Sequence, residues 1–502
     1  MRRLVGNGGG RYTPSTMKRP APIMLLPVCA SALVLAVACG SDDSAGGPAG
    51  TGGAAGGNAG TGGAPAGGSA GAGGGGAVGG GAGASSGGAN SGGANSGGAS
   101  SGGASSGGTS GVDLGCGNDP AVPFKKEQDV SVGKITGLSA LDLADVNGDG
   151  RLDIGVFEGG KHGKGGVNFA WLEAPAGAGA WTQHNLPKPS PFKPFIGAAK
   201  FGDVNKDGKP DVVVSMDEHS GAPPSAYIYW LQNPGASGTW TIHKIASNLA
   251  VEHINDMELA DMDGDGKLDV VVRSLSPNQL LFFFQDGADA WQQRVFDAKP
   301  YGATGEGFAV GDIDRKGKLD VTICGHWLAA PANPRSGAYA AHTIDAGYKA
   351  VNANVKEAIG DLNGDGRNDV ILSPAEGYRN GKNHVLAWYE APADPTAVWT
   401  QHVLAKNFNG GHTVRLADID GDADLDVISG VAWSMWGQTA NVTVYRNCGG
   451  VFGKAEVVVS GKGLYTGVVG DIGADGDMDI VGQNTYSASS HPYLYESTAS
   501  GK

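Results

Sequence analysis

The sequence lacks basic stripes, helical periodicity and long apolar runs. Lys and Arg total 36 against 50 Asp and Glu, so no basic surface is available to neutralise phosphates, and a nucleic-acid partner is not expected. No nucleophile elbow, phosphate-binding loop or zinc-ligand spacing is present. The main apolar run, Ile23 to Ala38, is too short and too interrupted by proline to span a membrane comfortably.

The amino end has the pattern of an export signal. Lys18 and Arg19 precede the apolar run, which ends in Leu35-Ala-Val-Ala-Cys39. Small residues before a cysteine resemble the cleavage box of a bacterial lipoprotein, and the resemblance implies that Cys39 is acylated and anchors the protein to the membrane. Gly40 favours the outer membrane or cell surface. An ordinary secretory signal with an incidental Cys39 is the alternative.

Composition divides the chain into three parts. Residues 1–38 form an upstream segment and lipoprotein signal peptide, residues 39–111 the lipidated cysteine and a linker, and residues 112–502 a globular domain. Gly40 to Gly111 is almost entirely Gly, Ala, Ser, Thr and Asn. It has too little apolar surface to bury, so we predict a disordered tether.

An acidic nine-residue pattern recurs through the third part. Asp261-Met-Asp-Gly-Asp-Gly-Lys-Leu-Asp269 carries carboxylates at positions 1, 3, 5 and 9 and Gly266 at position 6. A hard cation such as calcium takes oxygen ligands, which this spacing supplies. Close copies of the pattern begin at Asp145, Asp203 and Asp361, and weaker copies at Asp312, Asp418 and Asp471. The copies recur with a period of about 50 residues, which indicates one repeating supersecondary unit.

Four short strands per repeat, separated by Gly, Pro and Asn turns, predict an all-β, seven-bladed β-propeller with four-stranded blades. A solenoid is the alternative. An aromatic residue opens each fourth strand about 20 residues before the next acidic loop, and Phe124 keeps this spacing although no repeat precedes it. The seventh repeat stops before its own fourth strand. We therefore expect Phe124 to Val132 to supply that strand and close the ring.

The loops, with Phe201-Gly-Asp203 and Gly360-Asp361 leading into them, resemble the FG-GAP (VCBS-type) repeats of integrin α-subunit heads and many secreted bacterial proteins. The resemblance implies calcium held by side chains at positions 1, 3, 5 and 9 and by the carbonyl at position 7. Integrin-type ligand binding is not implied, because no adhesion domain is inserted. The implied calcium ligands are Asp145, Asn147, Asp149, Arg151, Asp153, Asp203, Asn205, Asp207, Lys209, Asp211, Asp261, Asp263, Asp265, Lys267, Asp269, Asp361, Asn363, Asp365, Arg367, Asp369, Asp418, Asp420, Asp422, Asp424 and Asp426.

The weaker loops are expected to differ in calcium binding. Lys316 stands at position 5 of the fourth loop, where its ammonium replaces the charge of a metal, so we predict no calcium there. Gly473 removes one ligand from the seventh loop, whereas the sixth loop has Ala423 but keeps its four aspartates. About four or five sites are expected in total. The alternative, a metal-free turn held by its own side chains, leaves the repulsion among the carboxylates uncompensated.

The cysteines predict one disulfide. Cys116 lies just before the closing strand and Cys448 lies after the third strand of the sixth repeat, so adjacent blades bring them near each other in an oxidising compartment. Cys324 lies in an apolar segment and is predicted to be an inert buried thiol.

Two functions fit the predicted propeller. The first is a binding or adhesion module for polysaccharide or an extracellular protein, whose ligand meets loops opposite the acidic ones, at His326, Trp327, Trp433 and Trp436. The second is a carbohydrate-active enzyme of lyase or dehydratase type in the central pit, with His253, Asp256, Glu306 and His412 as catalytic candidates. A regular second set is predicted to pack within the repeat, namely His184, His243, His342 and His402.

Overall fold

The computed structural model describes residues 121–498, except 126, 133–134, 136, 160–167, 219–223, 303–304, 349–353, 376–383, 433–437 and 484–490. The described part contains seven four-stranded antiparallel sheets, one short 3-10 helix at Ala346–Tyr348, and no helix long and apolar enough to cross a membrane. The predicted all-β propeller with seven four-stranded blades is confirmed. The predicted signal, Cys39 and the tether lie outside the described residues.

The strands follow one another from the inside of each blade to its rim. Blade one comprises β2 (Leu138–Ala144), β3 (Asp153–Glu158), β4 (Phe169–Glu173) and β5 (Thr182–Asn185). Blade two comprises β6 (Phe195–Gly202), β7 (Asp211–Asp217), β8 (Ala226–Gln232) and β9 (Thr241–Leu249). Blade three comprises β10 (Glu252–Ala260), β11 (Asp269–Ser276), β12 (Gln279–Gly287) and β13 (Ala290–Asp297). Blade four comprises β14 (Ala309–Gly311), β15 (Asp320–Ile323), β16 (His326–Ala329) and β17 (Ala340–Thr343).

The remaining blades repeat the order. Blade five comprises β18 (Val355–Gly360), β19 (Asp369–Pro374), β20 (Val385–Glu390) and β21 (Thr400–Lys406). Blade six comprises β22 (Gly411–Ala417), β23 (Asp426–Val431), β24 (Asn441–Tyr445) and β27 (Glu456–Ser460), with the hairpin β25 (Asn447–Cys448) and β26 (Val451–Phe452) between its last two strands. Blade seven comprises β28 (Thr466–Gly470), β29 (Asp479–Gln483), β30 (Tyr493–Tyr495) and β1 (Gln128–Asp129).

The amino-terminal strand closes the ring, as the sequence predicts. Strand β1 pairs with β30, and Phe124 forms a further antiparallel bridge with Ser497. The innermost strands β2, β6, β10, β14, β18, β22 and β28 each contact the next, and β28 contacts β2. Because the last sheet takes its outer strand from the start of the chain, the first and last blades share one continuous segment.

The aspartate at position 9 fixes each acidic loop to its blade. Asp269 Oδ2 accepts the N–H of Met262 at 3.0 Å, and Oδ1 accepts the N–H of Gln285 at 2.8 Å. The equivalent aspartates 153, 211, 320, 369, 426 and 479 accept the same two kinds of backbone N–H. Each carboxylate therefore ties the first turn of its blade to the end of the third strand. Burial, reinforced by the neighbouring carboxylates, raises the pKa of Asp269 to about 7.

Candidate functional site

The acidic loops turn their carboxylates toward one point. Asp261 Oδ1 accepts the N–H groups of Gly264 and Asp265 at 2.8 and 3.0 Å, and Oδ2 accepts that of Gly266 at 2.7 Å. Gly266 has φ 82°, a left-handed conformation that glycine adopts without a Cβ clash. Asp263 Oδ1 accepts the N–H of Asp265 at 3.0 Å. The backbone thus winds around the side chains that would face a cation.

Three of the loops gather carboxylate oxygens closely enough to share one ion. The oxygens of Asp261, Asp263 and Asp265 lie within 4.8 Å of one another. Equivalent clusters comprise Asp312, Asp314 and Asp320, and Asp418, Asp420 and Asp426. All donors are oxygens, which is the chemistry that calcium prefers over soft metals, so the residues fit calcium. In the fourth loop Lys316 Nζ lies 2.5 Å from Asp314 Oδ2, as its position suggested, and the absence of calcium there remains a prediction.

Basic side chains cover the outer oxygen of position 5. Lys267 Nζ lies 2.6 Å from Asp265 Oδ2 and Lys209 Nζ lies 3.0 Å from Asp207 Oδ2, while Arg151 and Arg367 contact Asp149 and Asp365 in the same way. The sequence assigned these basic residues only for their carbonyl groups. Each basic side chain pairs with Oδ2 of the aspartate at position 5, and Oδ1 of that aspartate faces the loop.

The third loop also receives a guanidinium from the next blade. Arg335, in the segment between β16 and β17, contacts Asp263, lies 3.4 Å from Asp265 Oδ2 through Nη2, and lies 2.5 Å from Asp286 Oδ1 through Nη1. Sequence reasoning missed this contact, because Arg335 is 72 residues from Asp263 and no local pattern links them. The guanidinium of Arg335 therefore contacts two of the predicted calcium ligands, Asp263 and Asp265.

A second polar site lies in the central pit, at the start of the innermost strands. The pit is a cavity of about 240 Å³, and its lining includes His253, Asn255, Asp256, Glu306 and His412. All four predicted catalytic candidates are therefore in one cavity. They meet because His253 and Asp256 are both on β10, Glu306 lies just before β14 and His412 is on β22, so the ring brings three separate blades together.

Lys356 organises the charges of the pit. Its Nζ lies 2.7 Å from Asp256 Oδ1 and 3.5 Å from Glu306 Oε2. Asn255 Nδ2 donates to Glu306 Oε1 at 2.7 Å, and the N–H of Gly307 donates to Asp256 Oδ2 at 2.8 Å. Gly307 has φ 84°, and a Cβ there would lie 1.5 Å from the carbonyl oxygen of Val355, so only glycine fits this approach.

His412 completes the cluster. Its Nε2 lies 3.6 Å from Glu306 Oε2, its Nδ1 lies 3.1 Å from the carbonyl oxygen of Tyr465, and its ring stacks on that of Tyr465 with centroids 4.0 Å apart. Burial and the ammonium of Lys356 lower the pKa of His412 to about 4, against the opposing effect of Glu306 and Asp256. The imidazole is therefore neutral at neutral pH.

Asp256 and Lys356 stabilise each other's charged forms. Burial alone favours the protonated acid, yet Lys356 outweighs it and lowers the pKa of Asp256. Burial likewise favours neutral Lys356, but Asp256 and Glu306 raise its pKa. Asp256 and Lys356 are thus both ionised across the physiological range.

The predicted aromatic ligand face is wrong at Trp327. Trp327 and His326 lie inside β16, where they are 1% and 6% exposed, and Trp327 stacks on His342 at 4.5 Å. The turn between β15 and β16 consists only of Cys324 and Gly325, with φ 47° and 74°, so no loop remains to expose the indole. Trp433 and Trp436 lie outside the described residues.

The regular histidines pack within the blades, as predicted. His184, His243 and His402 stack on Trp171, Trp230 and Trp388 across the third and fourth strands, with centroids 4.1–4.2 Å apart. Cys324 is fully buried, and burial raises its thiol pKa. Cys448 is disulfide-bonded, while its predicted partner Cys116 lies outside the described residues, so that pairing remains a prediction.

Five charged lining residues of the pit were missed by sequence reasoning: Lys200, Glu258, Lys356, Glu357 and Arg415. A usable signal exists, because Lys200, Glu258 and Arg415 each stand three residues before the first aspartate of an acidic loop. A strand's side chains alternate with a period of two, so a fixed offset from the loop gives a fixed orientation.

Comparisons with known proteins identify the repeats. A model of the FG-GAP-like repeat matches residues 203–272, 261–323 and 361–429. The chain therefore contains FG-GAP-like repeats within its seven-bladed β-propeller. The search of curated proteins found no match to it.

Several solved structures resemble the propeller. A lectin of Agrocybe aegerita that recognises non-reducing terminal N-acetylglucosamine has a TM-score of 0.42 and 17% identity, over 64% of this chain and 80% of the lectin. The rhamnogalacturonan lyase PL11 of Bacillus licheniformis has a TM-score of 0.44 and 13% identity, over 75% of this chain and 76% of the lyase.

Proposed function

We propose that this FG-GAP propeller is a calcium-stabilised binding module, held at the bacterial surface by lipid on Cys39, that takes part of a polysaccharide into its central pit. The observation that carries the proposal is the convergence of Asn255, Glu306, Lys356 and His412 on one cavity of about 240 Å³. Pockets for drug-sized ligands span roughly 300–1,000 Å³, so this cavity suits a single sugar unit better than a folded protein segment.

The charges of the pit favour binding over proton transfer. General acid–base catalysis works best when a group's pKa lies near the operating pH. The pKa of Asp256 is lowered, that of Lys356 is raised, and that of His412 is lowered to about 4, so each group stays in one state at neutral pH. Fixed donors and acceptors serve recognition of hydroxyl groups.

Calcium in the acidic loops would hold the strands that build the pit. Asp256 stands five residues before Asp261 on β10, the innermost strand of the third blade. The loop carboxylates repel one another, and a bound cation offsets that repulsion. Strand β10 carries pit residues and leads directly into the loop, so order at the loop supports the position of the pit residues.

A carbohydrate-active enzyme of lyase or dehydratase type is the second candidate. It is favoured by one observation, that His253, Asp256, Glu306 and His412 all line the same cavity. A neutral His412 beside Glu306 supplies an imidazole that can accept a proton, although a pKa of about 4 makes it a weak base.

A glycan array followed by product analysis separates the two candidates. We expect the calcium-loaded propeller to bind a subset of glycans and to leave them unchanged by mass spectrometry. Glu306→Gln and His412→Ala should weaken binding, and a chelator should abolish it. Release of a shortened or unsaturated glycan that is lost in Glu306→Gln would instead establish the enzyme.

Surface display has its own test. Export of the full chain in a bacterium fed a labelled fatty acid should label the wild-type protein and leave Cys39→Ala unlabelled. Equal labelling of both proteins would contradict lipidation at Cys39.

A further inference from the structure

The innermost strands place one residue of each blade at the same level of the pit. In each blade this residue stands three positions before the first aspartate of the acidic loop. It pairs with the third residue of the second strand in every blade. In blade order its members are Asp142, Lys200, Glu258, Ala309, Ala358, Arg415 and Val468. Of these, Lys200, Glu258 and Arg415 line the cavity.

The cations of the pit differ in their partners. Lys200 Nζ lies 3.8 Å from Glu258 Oε2, and Lys356 is paired with Asp256 and Glu306. Arg415 makes no ion pair with any residue that the structure describes. The equivalent positions on the adjacent blades are occupied by the uncharged residues Ala358 and Val468. Within the described residues its side chain forms one hydrogen bond, from Nη1 to the carbonyl oxygen of Val414 at 2.8 Å.

A guanidinium in this position is suited to an anion. It has five N–H donors in a planar fork that matches a carboxylate in bidentate fashion, and here one of them is engaged. The pit therefore offers a positive site on blade six. The carboxylates of blades three and four, Glu258 and Glu306, lie elsewhere in the lining.

The acidic groups define the rest of the ligand. Glu306 is 5% exposed, and its Oε2 has only long contacts within the described part of the chain, 3.5 Å from Lys356 Nζ and 3.6 Å from His412 Nε2. Oε2 of Glu258 likewise lies 3.8 Å from Lys200 Nζ. Carboxylate oxygens with only such long contacts have room to accept shorter hydrogen bonds, so a ligand that supplies hydroxyl groups is stabilised there. A dianionic phosphate or sulfate would instead meet repulsion from these carboxylates.

We propose that the pit binds a uronic acid unit of an acidic polysaccharide, with Arg415 holding the carboxylate and Glu258 and Glu306 accepting hydroxyl groups. This inference rests on the proposed function, in which the pit is the ligand site. The pit would recognise one anionic group and several hydroxyl groups on the same sugar.

Calorimetry with a matched pair of sugars tests the proposal. The probes are digalacturonic acid and its methyl ester, which has the same hydroxyl groups without the charge, added to calcium-loaded protein freed of excess ion. We expect the acid to bind about tenfold or more tightly than the ester, since one charge-assisted hydrogen bond has that effect. Arg415→Met should remove the preference, and Arg415→Lys should retain only part of it.

Arg315→Met is the control, because it removes the same charge at an exposed position in the fourth acidic loop. Urea unfolding of each variant confirms that it is folded. Equal binding of acid and ester, unchanged preference in Arg415→Met, or no binding of either probe overturns the proposal. If a neutral glycan binds and Glu306→Gln weakens it, the proposed function stands without the uronate; if no glycan binds in the pit, both fall.

Discussion

Gln128 lies directly opposite Leu494 in the outer half of the seventh blade, although the two residues are at opposite ends of the propeller sequence. Around this pair the N–H of Lys125 donates to the carbonyl oxygen of Glu496 at 2.7 Å, and the N–H of Val130 donates to that of Pro492 at 3.2 Å. Val130 itself is 1% exposed. The closing strand is thus both hydrogen-bonded to the last sheet and packed into the core.

Removal of the closing strand should open the ring. A chain that begins after Val132 should lose at least about 2 kcal/mol of unfolding free energy from the burial of Val130 alone. It should also self-associate, because β30 becomes an exposed edge. Thermal unfolding and light scattering measure both effects, with a chain that begins at Ala121 as the control. A synthetic peptide of residues 121–132 should restore the monomer; an unchanged, monomeric truncation would contradict ring closure.

The ion pair in the pit should dominate the stability of the inner strands. Lys356→Met leaves Asp256 and Glu306 buried without their cation, and loss of one partner of a buried pair costs about 3–5 kcal/mol. Lys125→Met is the matched control at an exposed pair, where the expected loss is about 0–1 kcal/mol.

Urea unfolding compares the two single lysine variants with the double variant Asp256→Asn/Lys356→Met. The double variant should recover part of the loss. Equal losses in the two single variants would show that the buried pair has no special role.

Glu357 should make stability depend on pH. Burial raises its pKa from 4.5 to about 8, against the opposing effects of Thr322 and Arg273. Between these values the unfolded chain has an ionised Glu357 and the folded chain a protonated one, so folding takes up a proton. The stability contributed by this group therefore falls as pH rises from about 4.5 to 8.

The test is urea unfolding of the wild type and Glu357→Gln at intervals from pH 5 to 8. The wild type should lose stability relative to the variant as pH rises. Parallel curves across the whole range would mean that Glu357 is ionised in the folded protein.

Arg335 should weaken calcium binding to the third loop. Its guanidinium contacts Asp263 and Asp265, both predicted ligands, so calcium competes with a fixed cation. Arg335→Gln should tighten that site by about three- to tenfold, the range of a partly exposed charge pair. Arg294→Gln is the control, since Arg294 donates to the carbonyl oxygens of Pro334 and Gly337 and, among the described residues, to no loop carboxylate. Competition with a fluorescent chelator gives the affinities; tighter binding in both variants would reflect net charge instead.

The phasing of the acidic loops was sufficient to predict the blades, because each loop marks the turn between the first and second strands. It also predicted that His253, Asp256, Glu306 and His412 would meet. Lys356 could not be linked to Asp256 in this way, because the pair spans blades three and five and no local pattern connects them. Trp327 was assigned to a loop because the sequence does not show that the turn before it has only two residues. A left-handed pair, Cys324 and Gly325, decides that turn.

The central claim is that the acidic loops hold calcium and that calcium stabilises the propeller. Calorimetric titration of the chelator-treated protein with calcium, followed by thermal unfolding of the same samples, tests it most directly. We predict about four or five bound ions and a marked rise in melting temperature with calcium concentration. No heat of binding at millimolar calcium and an unchanged melting temperature would contradict the account.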